Sequence, residues 1–128
     1  MFENIQIGLV NKEEKLVILA DSATAYGSGL VDVFATPAMI AFMERTAMNC
    51  VEEFLPTAFT TVGTHVNIIH NKATPIGMKV FCEAKVIEVE GRKLVFKLIA
   101  SDEEGEIGSG IHTRFIIDKK KFMQKLKK

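Results

Sequence analysis

Three residue types able to run acyl-transfer chemistry sit in two short stretches of this chain: a threonine, a glutamate and a histidine. Phe34-Ala35-Thr36-Pro37-Ala38-Met39-Ile40-Ala41-Phe42-Met43-Glu44 carries the first two. Gly63-Thr64-His65-Val66-Asn67-Ile68-Ile69-His70 carries the third, ahead of Asn71-Lys72-Ala73-Thr74-Pro75-Ile76-Gly77. Titratable groups inside otherwise apolar segments are costly unless paired, so they ask for an explanation. Gathered over one carbonyl, a hydroxyl or a water could attack while the imidazole took its proton.

The elements that must hold them can be read from periodicity. From Pro37 to about Phe54, Met39, Ile40, Met43, Ala47, Met48, Val51 and Phe54 recur at helical spacing. Thr36-Pro37 is a start signal, threonine as the cap and proline at the first helical position, and Pro56 closes the segment. The second half predicts strands at Thr60 to His70, Met78 to Val89, Lys93 to Ser101 and Ile107 to Ile117. Val80, Cys82, Ala84 and Val86 share a face, as do Leu94, Phe96, Leu98 and Ala100. Gly108 and Gly110 leave bare backbone where a helix could approach. Upstream, Ile5 to Val10 and Leu16 to Ala20 flank the polar Asn11-Lys12-Glu13-Glu14, which predicts a hairpin or two successive strands. Tyr26-Gly27-Ser28-Gly29 reads as a loop. One long helix with five to six antiparallel strands predicts an α+β domain, residues 1–128, whose sheet wraps the helix.

Composition narrows the function classes. The chain has 128 residues and 48% hydrophobic content, enough for one real core and incompatible with disorder. No apolar run approaches the ~20 residues that a membrane span needs. The start, Met1-Phe2-Glu3-Asn4-Ile5-Gln6, lacks the basic cluster and apolar block of a secretory signal. Sixteen basic residues balance sixteen acidic ones, which argues against nucleic acid as a partner. Cys50 and Cys82 lie in apolar surroundings, are too few for a zinc signature, and read as structural thiols in a reducing cytoplasm.

The order of these elements, with the residues quoted, resembles the hotdog fold, and within it the fluoroacetyl-CoA thioesterase-like family. The likeness is densest in Val33 through Glu44, Val62 through His70, Ala73 through Gly77, Val89-Glu90-Gly91-Arg92-Lys93-Leu94, and Glu106 through Phe115. The resemblance implies a short acyl-CoA substrate, no metal or cofactor, and two sites built across a homodimer, with higher homo-oligomers open. It also implies Thr36, Glu44 and His70 as the catalytic set, and Arg114 near the acyl end of the pocket. One departure narrows this. The fluoroacetate-specific member has aromatic lid residues where this chain has Gly27-Ser28-Gly29-Leu30, so the general reaction carries over and the fluoroacetyl selectivity does not.

Each residue also has a structural reading. Thr36 could be a helix cap alone, and Glu44 a surface charge. Thr36 and Glu44 stand about 12 Å apart along a regular helix, so they could cooperate only through a third group or substrate. Glu44 would then orient His70 or activate water. His65 rivals His70, but a separation of five places the two on opposite faces of an unbulged strand. Gly63 could offer its amide to the thioester oxygen and Gly77 could let substrate pass the backbone, or both could be ordinary turn or bulge glycines. His112 and Arg114 would share a strand face, where an ion pair is an equal reading for Arg114. The basic tail Lys119 to Lys128 reads as a solvated helix, or as an attractor of coenzyme A phosphates. The leading expectation is a cytoplasmic thioesterase for a small or medium acyl-CoA. The rivals are a protein that binds acyl-CoA or another apolar ligand without turnover and, less well supported, a dehydratase.

Overall fold

Strict alternation of small and branched apolar residues builds the sheet. In β3 (Lys79–Glu90) Val80, Cys82, Ala84 and Val86 are buried, and in β4 (Lys93–Asp102) so are Leu94, Phe96, Leu98 and Ala100. The computed structural model describes residues 2–127; Met1 and Lys128, the ends of the expected domain and of the basic tail, lie outside the described residues. With β1 (Val10–Leu16), β2 (Phe59–His70) and β5 (Gly105–Asp118), these strands form one five-stranded sheet in the order β1-β3-β4-β5-β2. Every neighbouring pair is antiparallel.

The long helix α2 (Thr36–Glu52) packs its apolar stripe on the sheet, burying Ala38, Met39, Phe42, Met43, Ala47, Cys50 and Val51. Each large side chain removed from water contributes about 1.5–3 kcal/mol, which fixes the helix against the sheet. Gly108 makes one close approach possible. A Cβ there would lie 2.9 Å from Met39 Cε and 2.5 Å from the Ile69 carbonyl. Gly110 serves another purpose, because its missing Cβ would collide with the Asn67 carbonyl of β2 and not with the helix.

Three further expectations need correction. Asn11-Lys12-Glu13-Glu14 is no turn but the middle of edge strand β1. Its two half-buried polar residues are satisfied by the helix, Asn11 donating to the Thr46 carbonyl and Glu13 accepting from Arg45 and Asn49, while the exposed Lys12 and Glu14 pair with Glu83 and Lys79 of β3. A strand at an exposed edge can carry charge without losing its ladder, which local polarity alone does not reveal. Second, Thr36 is not the cap of α2. The cap position is Ala35, and the threonine hydroxyl is engaged elsewhere. Third, the expected loop at residues 26–29 begins inside a short helix, α1 (Ala23–Tyr26), closed by Gly27 at φ 69°. The tail forms α3 (Lys119–Leu126), capped by Asp118, with no buried residue.

Candidate active site

Two backbone junctions bring Thr36 to His70. The segment before the helix is stitched on one side to residues 21–23: Ala35 N–H donates to the Asp21 carbonyl and Ala23 N–H to the Val33 carbonyl. On its other side Phe34 N–H donates to the Thr74 carbonyl and Val33 bridges Pro75. His70 ends β2 opposite Gly108, and the next residue, Asn71, donates to the Ile107 carbonyl. These ties leave Thr36 Oγ1 2.8 Å from His70 Nδ1. The hydroxyl is exposed at the rim of an open cleft of about 390 Å³, lined also by Ser28, Pro37, Asn71, Lys72 and Ala73.

The surroundings of the imidazole favour its neutral form. Burial draws its pKa below the ordinary 6.5, with the Lys72 backbone partly opposing this. It is therefore neutral at pH 7, and in the tautomer with Nδ1 unprotonated it can accept a hydrogen bond from the Thr36 hydroxyl. Its Nε2 is enclosed and has no hydrogen-bond partner among the described residues. Helix α2 adds the positive end of its dipole where charge would develop on a carbonyl oxygen.

Glu44 lies in a different cleft, of about 380 Å³, lined by Arg45, Met48, Thr61, Val62, Gly63 and Arg114. Its nearest imidazole is not His70 but His112, whose Nε2 stands 3.9 Å from Glu44 Oε2. The partners of His112 fix its tautomer. Nδ1 faces the His65 carbonyl at 2.8 Å and Nε2 faces Arg114 Nη1 at 3.1 Å. A carbonyl can only accept and a guanidinium can only donate, so Nδ1 carries the proton and Nε2 accepts. Burial, the nearby guanidinium and His65 lower the pKa of His112, against the backbone bond to His65 and the Glu44 charge, so it stays neutral. Arg114, 6% exposed, also donates to Thr61 Oγ1 at 2.7 Å and to the Thr61 carbonyl at 2.9 Å. Gly63 has no side chain because this cluster fills the space: a Cβ would lie 2.9 Å from Glu44 Oε2 and 3.0 Å from His112 Cε1.

Of the expected residues, then, Thr36 and His70 meet, while Glu44, Gly63 and Arg114 form a second group within the same chain. In one protomer Glu44 does not hold His70, since it lines the other cleft and neither ring nitrogen of His70 has a carboxylate partner among the described residues. Gly77 is a turn residue, with φ 94° and its amide donated to the Val17 carbonyl, and it lines neither cleft. His65 is exposed, on the opposite side of β2 from His70. His112 was not among the expected site residues. Its signal was alternation, two positions before Arg114 on one strand. The cysteines are buried and free, and burial pushes both thiols up to about 11, which makes them inert.

A family model for fluoroacetyl-CoA-specific thioesterase matches residues 17–120. The fluoroacetyl-CoA thioesterase of Streptantibioticus cattleyicolor is 36% identical over 96 residues, 75% of this chain and 69% of that protein. A solved structure of a fluoroacetyl-CoA thioesterase superposes with a TM-score of 0.90 at 30% identity, covering 95% of each chain. A hot-dog-like protein from Thermanaerovibrio acidaminovorans, at 22% identity, shares the fold with a TM-score of 0.88 over 97% of this chain and 92% of its own. With the α+β hotdog architecture and this match over most of its length, the chain belongs to the fluoroacetyl-CoA-specific thioesterase family.

Proposed function

We propose that this chain hydrolyses small or medium acyl-CoA thioesters to the free acid and coenzyme A, with Thr36 as nucleophile and His70 as its base. The observation that carries this is the 2.8 Å contact between the exposed Thr36 hydroxyl and a half-buried imidazole held neutral by its surroundings. Thr36 Oγ1 attacks the thioester carbonyl and passes its proton to His70 Nδ1. The coenzyme A thiolate leaves and takes that proton. Water then attacks the acyl-threonine ester, and the carboxylate that takes its proton returns it to Thr36 Oγ1 as that oxygen leaves and the acid is released. Family membership supports the activity, and the comparisons give a non-catalytic binder no support.

Glu44 enters this scheme from a second copy of the chain. Strand β2 is a sheet edge of 12 residues whose exposed side chains include Val66 and Ile69 and no Lys, Arg, Asp or Glu. The other edge, β1, is guarded by Lys12, Glu13, Glu14 and Lys15. Unguarded edges recruit strands, and the symmetric partner is another β2. Antiparallel self-pairing about Val66 and Asn67 sets the His70 end of one copy opposite the Gly63 region of the other, where Glu44 lies. In that homodimer the partner's Glu44 activates the deacylating water, and Arg114 and Gly63 line the acyl end. Leu30, 96% exposed beside cleft-lining Ser28, replaces an aromatic lid with a smaller aliphatic one, which fits a substrate range not confined to fluoroacetyl. A cytoplasmic domain spanning residues 1–128 fits the two unpaired thiols, and no helix among the described residues is long and apolar enough to cross a membrane.

A panel of acyl-CoAs with thiol detection tests the reaction. Hydrolysis of short chains is expected, together with an acylated Thr36 trapped by mass spectrometry. Binding of acyl-CoA with release no faster than the uncatalysed rate would overturn the proposal.

A further inference from the structure

We infer that Asp102 is a positioning residue for the Thr36–His70 pair, acting from outside the cleft through Lys72 and Thr74; this rests on the thioesterase reading above. Asp102 ends β4, and its carboxylate is fully enclosed. Oδ2 accepts from Lys72 Nζ at 2.8 Å and from Thr74 Oγ1 at 2.9 Å, while Oδ1 accepts from the Glu104 amide at 2.8 Å. Glu104 Oε1 adds a longer contact to Lys72, at 3.8 Å. Burial alone would raise the pKa of Asp102; the Lys72 ammonium, the Glu104 amide and the Thr74 hydroxyl outweigh it and hold the group below the ordinary carboxylate range.

Enclosing a carboxylate costs several kcal/mol before its partners repay it, and an apolar group could fill such a space more simply. What the charge adds is a fixed point for two chain segments. Lys72 follows His70 by two residues, and its backbone lies beside the imidazole. Thr74 is fully buried, and its carbonyl receives the Phe34 N–H, two residues before Thr36. One carboxylate therefore pins the loop leaving the base and, through one further hydrogen bond, the chain entering the nucleophile. The residues between, Asn71, Lys72 and Ala73, line the cleft, whereas Asp102 does not. Residues 71–78 belong to no strand or helix and carry only an isolated bridge at Pro75, so the carboxylate anchors the middle of this loop, and the chain entering Thr36, tied besides to residues 21–23, takes its position partly from it.

Asp102→Asn keeps the shape and removes the charge; Thr74→Val keeps the shape and removes the hydroxyl. Both are expected to lower kcat by roughly 10- to 100-fold with KM changed by less than about twofold, because misplacement of a reacting pair is felt in the chemical step. The second readout needs no turnover: nitrogen NMR of the His70 imidazole across pH. Both variants should shift its Nδ1 resonance away from the hydrogen-bonded value and move its titration toward that of an ordinary histidine. Lower thermal stability with kcat and the imidazole spectrum unchanged would overturn the inference. If Asp102→Asn does not fold, Thr74→Val carries the decision. A wild-type protein inactive on every acyl-CoA would sink the thioesterase reading, while the imidazole spectra would still decide for or against positioning.

Discussion

The two polar clusters of this chain are built to opposite standards. Thr36 and His70 share one hydrogen bond at an open rim, and the second ring nitrogen has no partner among the described residues. Arg114 and His112 are buried, and their bonds to Thr61, the His65 carbonyl and each other form a network with one consistent assignment of protons. A group that must transfer a proton needs a free valence and access to substrate. A group that must present a fixed surface to substrate needs neither and gains from saturation. The contrast also separates the two histidines. His112 cannot accept a proton without breaking its bond to Arg114, whereas His70 can.

The sharpest break in the comparison is removal of the sparse pair. Thr36→Ala and His70→Ala are expected to lower kcat by roughly 10² to 10⁴, read by thiol release, while His112→Asn should lose far less once corrected for folded protein. Equal losses at both histidines would erase the distinction. Next comes mixing of dead chains. Thr36→Ala and Glu44→Gln should each be inactive alone, and random pairing should restore up to about a quarter of wild-type sites, since about half the dimers would hold one intact site. No recovery would place the whole site within one protomer.

The saturated cluster is broken through stability. Arg114→Met leaves His112 Nε2 and Thr61 without their donor, and each buried group so stranded costs about 1–3 kcal/mol, measurable by denaturant unfolding. Gly63→Ala presses a methyl against Glu44, His112 and Arg114 and should cost about 1–3 kcal/mol as overpacking, with activity falling because Glu44 must move.

The smallest effect is on pH dependence. Both His70 and His112 titrate below 6.5 when folded, so the unfolded chain takes up protons first as pH falls. Their contribution to stability is complete above about 6.5 and is lost as pH drops toward the folded values. The same depression leaves His70 a competent base at neutral pH, and the acid limb of kcat/KM should lie below 6.5. A limb above 7 would show that another group is the base.

Where the sequence carried a strong period, the elements came through. β3 and β4 follow their alternating apolar residues, and α2 follows its three-and-four spacing to within about two residues. The misreadings have physical causes. Asn11 to Glu14 looks like a turn because the partners that satisfy it, Arg45, Thr46 and Asn49, lie more than 30 residues away. Thr36 looks like a cap because a hydroxyl before proline usually serves that end; here a histidine 34 residues further along the chain claims it. Gly110 looks like space for a helix, though the crowding atom belongs to the neighbouring strand.

Residue order alone made the α+β class legible and offered the candidates Thr36, Glu44 and His70, since periodicity and residue type are local properties. Which of them touch was decided by tertiary structure. Helix geometry kept Thr36 and Glu44 apart, strand register carried His70 to the helix entrance, and the bare backbone of Gly63 left room for Glu44 beside Arg114 and His112. Contacts between residues remote in sequence are fixed by how elements pack, and no local pattern encodes that distance.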